Sequence, residues 1–185
     1  MRARGQPSRP ENLAGSLLLA HPAMRDPNFR RAVVLMSAHN AEGAMGVVLN
    51  RPLDKNLGIL NGAFALGPLA SVPVFQGGPV QTEQLILVAW QMRPDGFRLF
   101  FGIEPDKATQ LAGEEDTHLR AFLGYAGWTA GQLDNEMARQ DWLTHPASVD
   151  LIFDTDPAAL WKSILRQKDY KSRLLADSPE DLSWN

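Results

Sequence analysis

The sequence predicts an α+β domain, and three observations carry that reading. Short apolar runs rich in Val, Leu, Ile and Phe dominate the chain. Most successive runs are joined in a way that suits antiparallel pairing. Helical signals are few and do not alternate regularly with the runs, as a parallel βαβ sheet would require.

The runs expected as strands are Leu13–Ala20, Ala32–Ala38, Met45–Asn50, Val72–Gln76, Gln84–Trp90, Phe97–Ile103, Thr117–Tyr125 and Ser148–Phe153, bounded by Gly, Pro, Asn or Asp. Between the second and third, His39-Asn40-Ala41-Glu42-Gly43 predicts an antiparallel hairpin with a five-residue loop. Its Asn and Gly supply the positive φ such a turn needs. Glu104-Pro105-Asp106 opens a short helix with proline in the first turn, and Gly113 closes it. Thr129-x-x-Gln132 reads as a capping box, starting a helix through Gln140 with Leu133 and Met137 facing inward. Asp156-Pro157 caps the last helix, whose inward stripe is Leu160, Trp161, Ile164 and Leu165.

At 185 residues, without repeats or a low-complexity linker, the chain is expected to form one domain over residues 12–170. Residues 1–11 read as a flexible N-terminal tail and 171–185 as a C-terminal tail. A chain of this length buries enough surface to need no cross-links, and it contains no cysteine. That excludes disulfides, iron–sulfur clusters, thiolate zinc sites and a cysteine nucleophile, and it fits a reducing compartment. The run Leu13–Ala20 after Arg2, Arg4 and Arg9 imitates a signal peptide. It is short, lies beside Glu11 and is followed by His21-Pro22 rather than a small-residue cleavage site. A cytoplasmic location without membrane association is therefore expected.

The net charge of −3, from 18 basic and 21 acidic residues, attracts neither nucleic acid nor an anionic membrane. No Gly-x-Ser-x-Gly elbow accompanies Ser16, Ser37, Ser71 or Ser148, and His21, His39, His118 and His145 are scattered. No His-Glu-x-x-His motif occurs. Asp156 sits where a helix cap belongs, and Glu114–Asp116 in a solvated loop, so these acids do not read as cation ligands. Gly124-x-x-Gly127-x-x-x-Gly131 leads from a strand into a helix, and close packing explains its glycines better than anion binding. The expectation is thus no catalytic residue, no metal and no cofactor.

Three segments carry a resemblance. They are Asp26-Pro27-Asn28-Phe29-Arg30-Arg31-Ala32-Val33-Val34 running on through His39 to Asn50-Arg51-Pro52, then Phe75-Gln76-Gly77-Gly78-Pro79-Val80, then Gly124-Tyr125-Ala126-Gly127-Trp128-Thr129-Ala130-Gly131-Gln132-Leu133. In this order and spacing the chain resembles the YqgE/AlgH family over roughly residues 12–165. The resemblance implies an α+β fold whose strongly bent, mostly antiparallel sheet forms a pseudo-barrel flanked by a few short helices. It also implies a bacterial cytosolic protein of mostly unassigned activity, in a family partly named for a proposed regulator of exopolysaccharide synthesis. The helix after Trp128 begins Thr-Ala-Gly instead of the Gly-x-Gly common in the family.

The polar and aromatic residues of the glycine-rich turns form the candidate ligand site: Asn50, Arg51, Gln76, Gly77, Gly78, Tyr125, Trp128 and Gln132. The expectation is one groove on the rim of the sheet, with Arg51 pairing an anion and Trp128 and Tyr125 as flat walls. The competing expectation makes the aromatics core residues and Arg51 a structural donor. The function expected is a non-catalytic binding or regulatory protein acting on a protein or small-molecule partner, which the sequence does not name. An alternative is a hydrolase or transferase using His39 with Glu42 in the same groove. A second alternative is a transcriptional regulator on DNA. Asp134, Glu136 and Asp141 on the helix after Trp128 oppose that, although Lys162, Arg166, Lys168, Lys171 and Arg173 make a basic patch. Oligomeric state is not encoded in any motif.

Overall fold

Burial along the first strand shows how the sheet is covered. In Ser16–Ala20 (β1), Leu17 and Leu19 enter one cluster while Leu18 and Ala20 enter the cluster on the opposite face. Successive side chains in a strand point to opposite faces, so an unbroken apolar run means both faces are packed. The same alternation holds in Val33–Asn40 (β2), where Val33 and Leu35 face one way and Val34 and Met36 the other. This computed structural model describes residues 12–177. The expected N-terminal tail at 1–11 lies outside the described residues, as does 178–185.

After β1 and β2 come Gly43–Val48 (β3), Pro52–Asn56 (β4), Leu57–Leu60 (α1), Pro73–Gln76 (β5), Val80–Arg93 (β6), Gly96–Phe101 (β7) and Pro105–Ala112 (α2). Then follow Thr117–Thr129 (β8), Gln132–Ala138 (α3), Trp142–Pro146 (β9), Val149–Phe153 (α4), Pro157–Arg166 (α5) and Tyr170–Ala176 (α6). Among the described residues these are nine strands and six helices in one open, bent sheet, ordered β4-β5-β8-β3-β2-β1-β9, with β6 and β7 branching from β8. All pairs are antiparallel except β5 with β8. The fold is α+β, as the runs and the resemblance both imply.

β8 holds the bend. Thr117–Tyr125 pairs with β6, while along its other edge residues 121–123 pair with β5 and 126–129 with β3. On the shared inner face, Trp90, Phe122, Leu17, Leu35 and Leu49 pack under α4, α5 and α6 through Ile152, Trp161, Ile164 and Leu165. On the outer faces, α3 covers Trp128 and Trp142, and α1 with α2 covers Leu87 and Ala121. Among the described residues, no helix is long and apolar enough to cross a membrane.

Among the described residues, one charged side chain is buried in this core. Arg120 is 5% exposed, with Phe75 and Phe153 4.4 and 4.6 Å from its guanidinium. It donates to the carbonyls of Ile152 (3.0 Å) and Leu49 (3.5 Å). Burial lowers its pKa to about 10, so the guanidinium stays charged at neutral pH.

Several elements differ from expectation. The hairpin loop is two residues, Ala41 and Glu42, because β2 continues to Asn40 and β3 begins at Gly43. Asn40 Oδ1 accepts the Glu42 N–H at 2.8 Å, closing the turn more tightly than five residues would. Ser148–Phe153 is helix rather than strand. Ser148 caps the helix by accepting the Leu151 N–H, and the buried pair Val149 and Ile152 has helical spacing. α3 stops at Ala138, and Gln140 takes φ 62° where the chain turns into β9. Two edge strands, β4 and β9, carry no long apolar run. α6 continues past the expected start of a C-terminal tail at 171, and its Ala176 packs into the inner core.

Candidate functional site

The predicted site residues fall into three places. Trp128 and Gln132 line a groove of about 630 Å³ beside α3, together with His21, Phe29, Glu136 and Trp142. Asn50 and Arg51 line a separate hollow of about 230 Å³ with Arg30, Arg31, Trp161 and Lys162. Gln76, Gly77, Gly78 and Tyr125 line neither. The expectation of a single groove is therefore corrected. Trp128 pairs with Ala44 at the start of β3, whereas Arg51 lies seven residues on, beyond the end of that strand. The two residues therefore stand at opposite ends of β3 and line different hollows.

The double glycine is a packing device. Gly77 donates to the Leu123 carbonyl and accepts from the Val48 N–H, both at 2.8 Å, so it stitches β3 to β8. A Cβ on Gly77 would sit 2.2 Å from the Gly124 carbonyl oxygen, and one on Gly78 2.2 Å from the Tyr125 backbone. No side chain fits there, because neighbouring backbone occupies the place of a Cβ. Tyr125 is half-buried against the inner core. Asn50 is a clamp between strands, accepting from the Val33 N–H at 2.9 Å and donating to the Arg31 carbonyl at 2.8 Å.

The larger groove is built around one carboxylate. Glu136 Oε2 accepts from the indole N–H of Trp128 at 2.9 Å and of Trp142 at 2.8 Å, and Oε1 accepts from the Gln132 amide at 3.0 Å. The Gln132 side-chain oxygen accepts in turn from the Thr129 N–H at 3.1 Å. That is half of the expected capping box, while the N-cap itself is Gly131 at φ 74°. The two indoles meet edge to face with centroids 5.9 Å apart, and Phe29 lies 6.1 Å from Trp128 and 5.6 Å from Trp142. Such aromatic contacts add attraction beyond area burial. Trp128 is 6% and Trp142 3% exposed, so they form a floor, while Asp26, Gln132, Gln140 and Asp141 supply a polar rim.

Sequence reasoning missed Phe29, Glu136 and Trp142. A signal was present: two tryptophans near one short helix need acceptors for their N–H groups, and Glu136 is one helical turn from Gln132.

The residues weighed for other functions have structural partners. His39 does not meet Glu42, which is exposed at the hairpin tip. Its Nε2 is 3.0 Å from Asp134 Oδ1 on α3, and its Nδ1 accepts the Leu13 N–H at 3.3 Å. In the basic patch, Lys162 and Arg166 both pair with Asp177, Lys168 donates to the Thr144 carbonyl, and Arg173 to the Arg166 carbonyl. Among the described residues, no group of three or more His, Asp or Glu is placed to hold a metal ion.

Comparison with known proteins places this geometry in a family. The AlgH-like (DUF179) family model matches residues 17–173. A UPF0301 protein of Streptomyces coelicolor is 36% identical over 187 residues, covering 94% of this chain and 96% of the relative. One from Coxiella burnetii is 38% identical, covering 81% of this chain and 86% of the relative. The solution structure of the AlgH protein from Pseudomonas aeruginosa superimposes with TM-score 0.63 at 32% identity, covering 95% of this chain and 99% of that one. A crystal structure of a Corynebacterium diphtheriae protein, at 22% identity and TM-score 0.69, shares the fold over 96% of this chain and 95% of its own. None of these names states a reaction. The chain belongs to the YqgE/AlgH family, the AlgH-like or UPF0301 proteins.

Proposed function

We propose that this protein is a non-catalytic binding protein of the cytoplasm, and that it receives a small molecule or a peptide segment in the groove beside α3. The observation that carries this reading is the Glu136 carboxylate holding both indole N–H groups, which fixes an aromatic floor before any ligand arrives. A preformed apolar floor with a few polar groups at its rim suits a flat ligand with hydrogen-bonding edges, and rigidity lowers the entropy lost on binding. A regulatory role would work through such contacts. The acids Asp134, Glu136 and Asp141 make this face repel a phosphate backbone, which weighs against direct DNA reading.

The test is a fragment screen followed by NMR on the indole N–H signals, assigned by Trp→Phe variants. Fragments that bind are expected to move Trp128 and Trp142 and to leave Trp90 and Trp161 in place. Gln132→Ala should weaken them while the protein stays folded. A screen without hits, or hits that move only Trp90 or Trp161, would overturn the reading.

A further inference from the structure

A second site lies on the other side of the loop that carries Phe29. Arg30 and Arg51 face the first turns of α5 at Trp161 and Lys162 across the hollow of about 230 Å³, with Asn50 beside them. The wall is firmly held: the Trp161 N–H donates to the Ala20 carbonyl at 2.9 Å, and the Arg31 guanidinium lies over the Trp161 ring at 4.9 Å.

Basic side chains crowd this hollow. Arg51 is half-buried, one of its N–H groups donates to the Arg30 carbonyl at 3.2 Å, and both arginines line the hollow. Burial first, and then the charge of Arg30, lower the Arg51 pKa, while Asp26 pulls it the other way. Among the described residues, neither Arg30 nor Arg51 has a carboxylate within ion-pair distance. Lys162 pairs with Asp177 at 2.9 Å, but Arg166 shares that acid at 2.6 Å. Asp156 is engaged in capping α5 through the Ala158 N–H.

Crowded, partly desolvated cations gain most from a compact anion that meets several of them at once. We infer that this hollow binds the phosphoryl group of a small ligand, with Arg30 and Arg51 as fork donors and Lys162 as a point charge. A phosphoryl group offers three acceptor oxygens to two planar guanidinium forks, a match that a lone carboxylate does not reach. At about 230 Å³ the hollow has room for a phosphoryl group with a small body attached. Arg51 was expected to pair an anion beside Trp128; the anion it serves is held here, away from the aromatic floor.

The experiment is a titration of the full chain with inorganic phosphate, pyrophosphate and citrate at constant ionic strength, followed by calorimetry and the Trp161 indole signal. Pyrophosphate should bind saturably, more tightly than phosphate or citrate, and move Trp161 without moving Trp128. Arg51→Gln should weaken it about tenfold or more, and Arg30→Gln about fivefold. Arg139→Gln, at a residue that lines the other groove and pairs with Asp141, should change nothing in this titration. Arg30 is exposed, so its variant stays informative should Arg51→Gln unfold. Unsaturable binding, citrate binding as tightly as pyrophosphate, an unaffected Arg30→Gln, or loss in Arg139→Gln would each overturn the inference.

Discussion

Replacing Glu136 with alanine removes the acceptor of two buried indoles at once. A hydrogen bond to a charged group contributes about 1.5–3 kcal/mol when its donor would otherwise be buried unpaired. The groove is open, so water can reach the exposed edge and return part of that. Counting about 1 kcal/mol for each indole and half that for Gln132, Glu136→Ala should cost about 2–3 kcal/mol. For a domain of this size the melting temperature should fall roughly 5–10 °C. Glu136→Gln keeps an oxygen for the indoles and should lose under about 1 kcal/mol. Urea unfolding followed by tryptophan fluorescence measures both, and an unchanged denaturant slope shows that stability alone has moved. The reasoning fails if alanine costs less than about 1 kcal/mol, or if glutamine costs as much as alanine.

Arg120→Ala should cost about 3–5 kcal/mol by chemical unfolding, since it leaves a cavity between Phe75 and Phe153 and strips the Ile152 carbonyl, whereas Arg120→Met should lose half of that or less. Gly78→Ala should cost more than about 3 kcal/mol because its Cβ would meet the Tyr125 backbone, while Gly67→Ala, with open space, should stay within about 0.5 kcal/mol in the same assay. Backbone and side-chain hydrogen bonds from Ser172 hold the Asp169 carboxyl below its ordinary 3.8, and side-chain hydrogen bonds from Lys162 and then Arg166 do so for Asp177. Their support for α6 is therefore complete above pH 3.8 and is lost as pH falls through the lower folded values, which amide exchange of α6 against pH will show and Asp177→Asn will blunt. Burial first and Lys168 second lower the His145 pKa, so NMR titration should place it below 6.5, and Lys168→Gln should raise it only in part.

Strands packed on both faces give the clearest signal in the sequence. β1 and β2 read as unbroken apolar runs because each face meets its own cluster. β4 was not legible: its Leu53 stands among Pro52, Asp54 and Lys55, all exposed, as an edge strand permits. In Val149–Phe153 a short apolar run fits either period, and only the Ser148 cap decides it. At the site, Trp128 and Gln132 were placed correctly together because a strand and the helix after it share one turn. Arg51 was misplaced because closeness of strand ends depends on pairing register, which one sequence does not display. In the sequence Glu136 reads only as one of the acids that oppose DNA binding, since nothing local reveals which donors fold onto it.

Residues 117–129 connect the two parts of the sheet, and this has a consequence during synthesis. Before they leave the ribosome, β1, β2 and β3 can pair only with one another, β4 only with β5 and β6 only with β7, and β5 and β6 lack the neighbour they share. Two thirds of the polypeptide must therefore wait, half-assembled and greasy on at least one side, for a single segment to arrive. Holding factors would meet this protein in that interval, and a pause in translation just short of residue 117 would lengthen it.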